Sequence, residues 1–173
     1  MLVLRLSNPI KLRFEPDAAT WCRIRQMEPV VLAVVGGLVD KVVFTLALYG
    51  ENMDPEEVTR ALGLQPTEAH RRGERRRPTS VPYKTGAWLL SAESESPVEP
   101  EIVASTLLAR LPRDDGLWLA LSAAYDIRFT LGIFTTGWNR GFDLSNSTMR
   151  RISELGASVG FDLYADPESS EQD

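Results

Sequence analysis

One cysteine and one histidine occur among the 173 residues, and these two counts exclude more chemistry than any motif supplies. Cys22 has no partner for an internal disulfide, and His70 alone cannot build the His and Cys sets that hold structural zinc. No metal and no cofactor is expected. The cysteine count also favours a reducing compartment, because small secreted domains carry paired cysteines. Long apolar runs are missing as well. The longest, PVVLAVVGGLV from Pro29 to Val39, is about half of the ~20 residues that span a bilayer. It lies too far from Met1 for a secretory signal, and the opening MLVLRLSNPIKLRF lacks the basic end followed by an apolar block. The chain reads as cytoplasmic, with no membrane partner.

Neither charge sign dominates: 19 Lys plus Arg against 24 Asp plus Glu leave a net charge of −5. With 43% apolar and 25% charged residues, disordered and fibrous classes fall away and one soluble domain is expected. Such a chain buries roughly 70% of its unfolded surface and needs no staple. Residues 1–40 stand apart, their short apolar stretches broken by Pro9, Pro16 and Pro29. Two readings stay open for this arm: Val30 to Val35 adds an edge strand to the main sheet, or translation starts further in, as at Met27. Residues 165–173 hold Asp166, Glu168, Glu171 and Asp173 without bulky apolar residues, an acidic, disordered tail.

Residues 41–164 form the body. Val42 to Tyr49 alternates as a strand. Asp54, Pro55 and Glu57 then set the N-cap, first turn and third position of a helix that Gly63 ends. Leu64 to Val81 reads as loop, Thr85 to Ser91 as a strand, and the acidic Glu93 to Glu101 stretch as a turn. Helices follow from Glu101 to Leu111 and from Gly116 to Ala123. Tyr125 to Phe134 alternates cleanly, one face buried and the other wet. Ser145 caps a helix with Met149, Ile152 and Leu155 inward, and Ala157 to Tyr164 closes the fold with Val159, Phe161 and Leu163 facing in.

FTLAL at Phe44 followed by MDPEEVTRALG echoes FTLGI at Phe129 followed by LSNSTMRRISELG. These two strand–helix–strand units predict an α+β domain. A single, mainly antiparallel sheet carries its helices on one face, as ferredoxin-like duplicated β-α-β halves with an inserted helical segment. The other face carries Thr45, Ala47, Arg128 and Thr130 and is expected to be polar.

Thr59-Arg60-Ala61-Leu62-Gly63-Leu64-Gln65-Pro66-Thr67, with Gly73, Gly86-Ala87-Trp88, Asp143-Leu144-Ser145 and Asp162-Leu163-Tyr164 in order behind it, resembles a bacterial family, domain of unknown function 4279, over roughly Val42 to Tyr164. The resemblance implies no catalytic residues. The forty-residue arm lies outside it.

Arg60, Arg71, Arg72, Arg75, Arg76 and Arg77 face only Glu68 and Glu74 in their segment, a local charge of +4 in an acidic protein. Guanidinium forks suit phosphate or carboxylate; the plainer reading is a solvated loop paired with the Glu93 to Glu101 stretch or the tail. Trp138, Asn139 and Arg140 sit between glycines as an interface anchor set, or Trp138 folds back over the sheet edge. Trp88 and Trp118 read as core. Asp126 and Asp162 could meet as paired carboxylates, or form the wet side of their strands. His70 and Cys22 lack the partners that catalysis needs. The expected function is a non-enzymatic, immunity-type or regulatory protein-binding module using Arg71, Arg72, Arg75, Arg76, Arg77, Trp138, Asn139 and Arg140. RNA or anionic-ligand binding through the arginine loop, residues 70–77, is the alternative, disfavoured by acidity and by the missing stacking aromatics on the open face.

Overall fold

The computed structural model of the chain describes residues 38–136 and 140–166. The expected arm through residue 37, with the Val30 to Val35 strand and Cys22, lies outside these residues, as do Trp138, Asn139 and the tail from residue 167. Among the described residues the order is β1 (Val39–Gly50), α1 (Pro55–Leu62), β2 (Glu68–His70), β3 (Gly86–Val98), α2 (Pro100–Arg110), α3 (Asp115–Ala124), β4 (Asp126–Thr136), α4 (Asn146–Glu154) and β5 (Ser158–Asp166).

The strands make one mixed sheet ordered β2-β3-β1-β4-β5. β1 is antiparallel to both β3 and β4, β2 is antiparallel to β3, and β4 and β5 are parallel. Consequently β1-α1-β2 joins two strands of one direction with β3 between them. The β3-α2-α3-β4 connection likewise straddles β1. These are not the halves expected from the FTLAL and FTLGI echo. The strand after α1 that the sequence predicts, β3, comes back antiparallel beside β1, because β2 intervenes and the residues after it form a hairpin. Only β4-α4-β5 joins neighbouring parallel strands.

Alternate residues of the central strands, Phe44, Leu46, Leu48, Phe129, Leu131 and Ile133, are buried in one cluster with residues of all four helices. Phe44 and Phe129 stack with centroids 5.0 Å apart, and Trp88 and Trp118 are fully buried. The caps form as expected: the carboxylate of Asp54 accepts from Glu56 N at 3.0 Å, and Gly63 ends α1 at φ 66°. A left-handed residue there costs glycine nothing.

Four further expectations are corrected. The acidic stretch is strand, not turn: β3 continues to Val98 because β1 reaches back to Val39 and supplies a ladder, Val39 facing Val98. Lys41 bridges Glu93 and Glu95 at 3.3 and 3.1 Å, which raises its pKa, chiefly through Glu95. In α4 the buried residues are Thr148 and Ile152, while Met149 is exposed. On β5, Phe161 and Leu163 are exposed rather than buried, since β5 is an outer strand and α4 is only nine residues long. Ala165 and Asp166, expected in the tail, complete β5.

The burial of Thr148 has an electrostatic cause. Glu101, near the start of α2, accepts from Ser145 N at 2.9 Å and from the hydroxyls of Ser145 and Thr148 at 2.7 Å each. Burial pushes its pKa up, but these hydrogen bonds outweigh it and hold the carboxyl below its usual value. The carboxylate thus pins α4 to α2.

Phe129→Ala should cost about 3–5 kcal/mol of stability, read from urea unfolding. Glu101→Gln should cost about 1 kcal/mol at neutral pH. A depressed carboxyl stabilises above its unfolded pKa and loses that contribution as pH falls through the folded value. The gap between Glu101→Gln and the wild type should therefore close as the solution is acidified below the carboxylate range.

Candidate functional site

The arginine segment is the connection between β2 and β3, and most of the motif residues around it serve to build it. Trp88 of β3 donates from Nε1 to Thr59 Oγ1 at 3.0 Å, tying α1 to the sheet. Thr67 donates to Leu89 O at 3.1 Å and accepts from Ser91 N at 3.2 Å, which lays β2 along β3. A Cβ on Gly86 would stand 2.9 Å from Met53 Cβ and 3.2 Å from Met53 O; only glycine lets β3 begin under that turn. Gly73, at φ 86°, donates to Tyr83 O at 2.9 Å, and Tyr83 returns a bond to Glu74 O at 2.9 Å. Ser80 N to Arg77 O at 2.9 Å closes the tip. The loop is therefore a hydrogen-bonded hairpin extension.

Its arginines divide into two groups. At the base, Arg71 meets Asp54 at 2.6 Å and Glu56 at 3.5 Å, and Arg72 meets Glu51 at 3.2 Å. The Glu56 amide, and after it Arg71, hold the Asp54 carboxyl below its ordinary value against the opposing effect of burial. At the tip, Arg75 donates to Ser80 O, and Arg75, Arg76 and Arg77 are exposed with no carboxylate partner among the described residues. The expected pairing with the Glu93 to Glu101 stretch does not occur: Lys41 takes Glu93 and Glu95, and α4 takes Glu101. The sequence identifies Asp54 as a cap. Its second role, and those of Glu51 and Glu56, were hidden because α1 and the loop meet only after folding.

Beside the base, an open groove of about 540 Å³ is lined by Thr59, Arg60, Gln65, His70, Arg71 and Glu74 among others. The His70 ring stacks on Tyr83 at 3.5 Å, and its Nδ1 is buried with no hydrogen-bond partner among the described residues. Arg140 is exposed; Trp138 and Asn139, the rest of that anchor set, lie outside the described residues. Asp126 and Asp162 do not meet. Asp162 stands opposite Gly132, six residues along β4 from Asp126, roughly 20 Å at strand rise. The open face is polar at its centre, with Thr45 and Ser91 bonded at 2.8 Å. At its β4-β5 side Phe134 and Tyr164 stack at 4.5 Å.

Residues 40–166, from the second residue of β1 to the last of β5, match the family model described as Domain of unknown function (DUF4279). The chain belongs to this family. No curated protein and no solved structure matches it. The resemblance carried by Thr59, Gly63, Thr67, Gly73, Gly86 and Trp88 thus has a physical content: in this family member those residues cap, strap and clear space for the β2-β3 hairpin. Among the described residues no group of three or more His, Cys, Asp or Glu is placed to hold a metal ion, and no helix is long and apolar enough to cross a membrane.

Asp54→Asn should speed amide exchange at Gly73 and Tyr83 near neutral pH. The Asp54 pKa is depressed, so its ion pair contributes above the ordinary carboxylate range and is lost on acidification. The exchange rates of variant and wild type, followed by NMR at matched intrinsic rates, should converge as pH falls through the folded value.

Proposed function

We propose that this chain is a non-enzymatic binding module whose hairpin tip, Arg75, Arg76 and Arg77, docks on an acidic surface of a partner protein. One observation carries the reading: the base arginines are neutralised by Asp54, Glu56 and Glu51, whereas the three tip arginines stand exposed on a hydrogen-bonded loop without ion-pair partners among the described residues. Holding cations on an ordered loop reduces the entropy lost on docking and leaves their charge free to steer association. Arg140 and the open sheet face would extend the contact.

A protein partner is favoured over RNA because the net charge is −5 and the open face carries Thr45, Ala47, Arg128 and Thr130 where base-stacking aromatics would stand. Beside the groove, Arg71 is engaged with Asp54 and Glu56, which favours a binding role over turnover. We also read the β1-α1-β2-β3-α2-α3-β4 portion as ferredoxin-like with α4 and β5 added, supported by its strand order and its two straddling connections. A bacterial, cytoplasmic protein of immunity or regulatory type fits this reading, supported by the resemblance and the single cysteine.

The test is affinity capture from native extract with the wild type and with a variant carrying Arg75→Gln, Arg76→Gln and Arg77→Gln. An acidic protein should be retained, identified by mass spectrometry and then bound as purified protein. Affinity should fall about tenfold or more in the variant, while thermal unfolding stays unchanged. Retention that survives the substitutions defeats the proposal, and retention abolished by ribonuclease moves the assignment to RNA.

A further inference from the structure

The two edges of the sheet differ. On one side β2 pairs with only residues 87–89 of β3, and the uncovered remainder of that strand carries Glu93, Glu95 and Pro97, whereas on the other side all nine residues of β5 lie along an edge with no further strand among the described residues. β5 also exposes large apolar side chains, Phe161 and Leu163 on the helix side at 49% and 69% and Tyr164 on the other face at 53%. Phe142 touches Phe161 from the helix side, with centroids 5.9 Å apart. A long strand with free backbone groups and exposed apolar side chains is a pairing surface, unless charge, proline or a bulge blunts it. Asp162 is the one charged side chain between Ser158 and Ala165.

The sequence of β5 indicates which partner fits. An isologous contact requires a surface that complements itself. Around Phe161 the helix-side residues read Val159, Phe161, Leu163, nonpolar from either direction, so an antiparallel copy centred on Phe161 sets Leu163 against Val159 of the second copy. On the other face the same register sets Asp162 against Gly160, and no like charges oppose. Gly160 has open space above it, with only Phe129 O within 4 Å of a Cβ built there. Beyond it on β4 stands Arg128, level with Ser158 and exposed, its nearest carboxylate Asp126 at 3.6 Å. With strands roughly 4.8 Å apart and a rise of about 3.3 Å per residue, Arg128 and Asp162 of the second copy have Cα atoms about 12 Å apart. Extended side chains span that distance across the bare glycine.

We propose that β5 is the self-association edge of this protein, two copies pairing antiparallel about Phe161 to continue one sheet through both, with Arg128 of each reaching Asp162 of the other. The full chain should sediment as a monomer–dimer equilibrium, and amide exchange in β5 should slow as protein concentration rises. Leu163→Lys should abolish the dimer and leave the fold intact, since that side chain already faces solvent in the single copy. Arg128→Asp and Asp162→Arg should each weaken dimerisation about tenfold, and the double variant should restore it. A chain that stays monomeric up to millimolar concentration overturns the proposal. So does a dimer indifferent to Leu163→Lys and to the charge exchange, or protection of the β5 amides that does not depend on concentration.

Discussion

The structure depends on β1 being hydrogen-bonded along both edges while its helix-side residues are fully buried. Val42, Phe44, Leu46 and Leu48 have no solvent exposure, and their neighbours on β3 and β4 run antiparallel to them on either side. A one-residue slip of either partner would turn Trp88 and Leu90, or Phe129 and Leu131, toward the polar face. The Phe44–Phe129 stack fixes one of those registers by direct contact. Once it is set, α1 to α4 have a continuous nonpolar layer to cover, and both straddling connections cross β1 or its neighbour β3.

Around this layer the motif residues have architectural work. Thr59 and Trp88 join helix to sheet, Thr67 places β2, Gly73 turns the hairpin, and Gly86 lets β3 pass under Met53. None of these contacts requires arginines at the hairpin tip. The base needs Arg71 and Arg72, whose partners are the cap and flank of α1. Among the described residues Arg76 and Arg77 have no ion-pair partner, and the Arg75 side chain bonds only Ser80 O at the tip. The proposed recognition role rests on this separation between base arginines that the fold uses and tip arginines that it leaves exposed.

The sheet edges show the same logic. β2 is short, and the part of β3 that it leaves uncovered carries Glu93, Glu95 and Pro97, charge and proline that discourage pairing along that edge. At the other edge, α4 is held to α2 by Glu101 and covers the beginning of β5, and its reach ends before Phe161. The exposed apolar strand is therefore a consequence of helix length, set by Ser145 and Gly156 at the two ends of α4.

Much of the fold is legible in the chain because its causes are local. The caps at Asp54 and Ser145, the terminator at Gly63 and the period-two runs at Phe44 and Phe129 each act within a few residues, and the family motif lies in the same segments. Strand partners are not local. The three residues of β2 carry no period to read, the acidic turn became strand only because β1 lay beside it, and inward-patterned Phe161 and Leu163 are exposed because no helix among the described residues extends over them. The arginine cluster was visible by composition, yet which arginines are neutralised depends on α1 approaching the hairpin across some twenty residues of chain. Sequence alone determined most of the elements and the family, since backbone propensity and capping operate between near neighbours. Tertiary structure alone decided pairing, exposure and free charge, since these depend on which distant surfaces come to rest against each other.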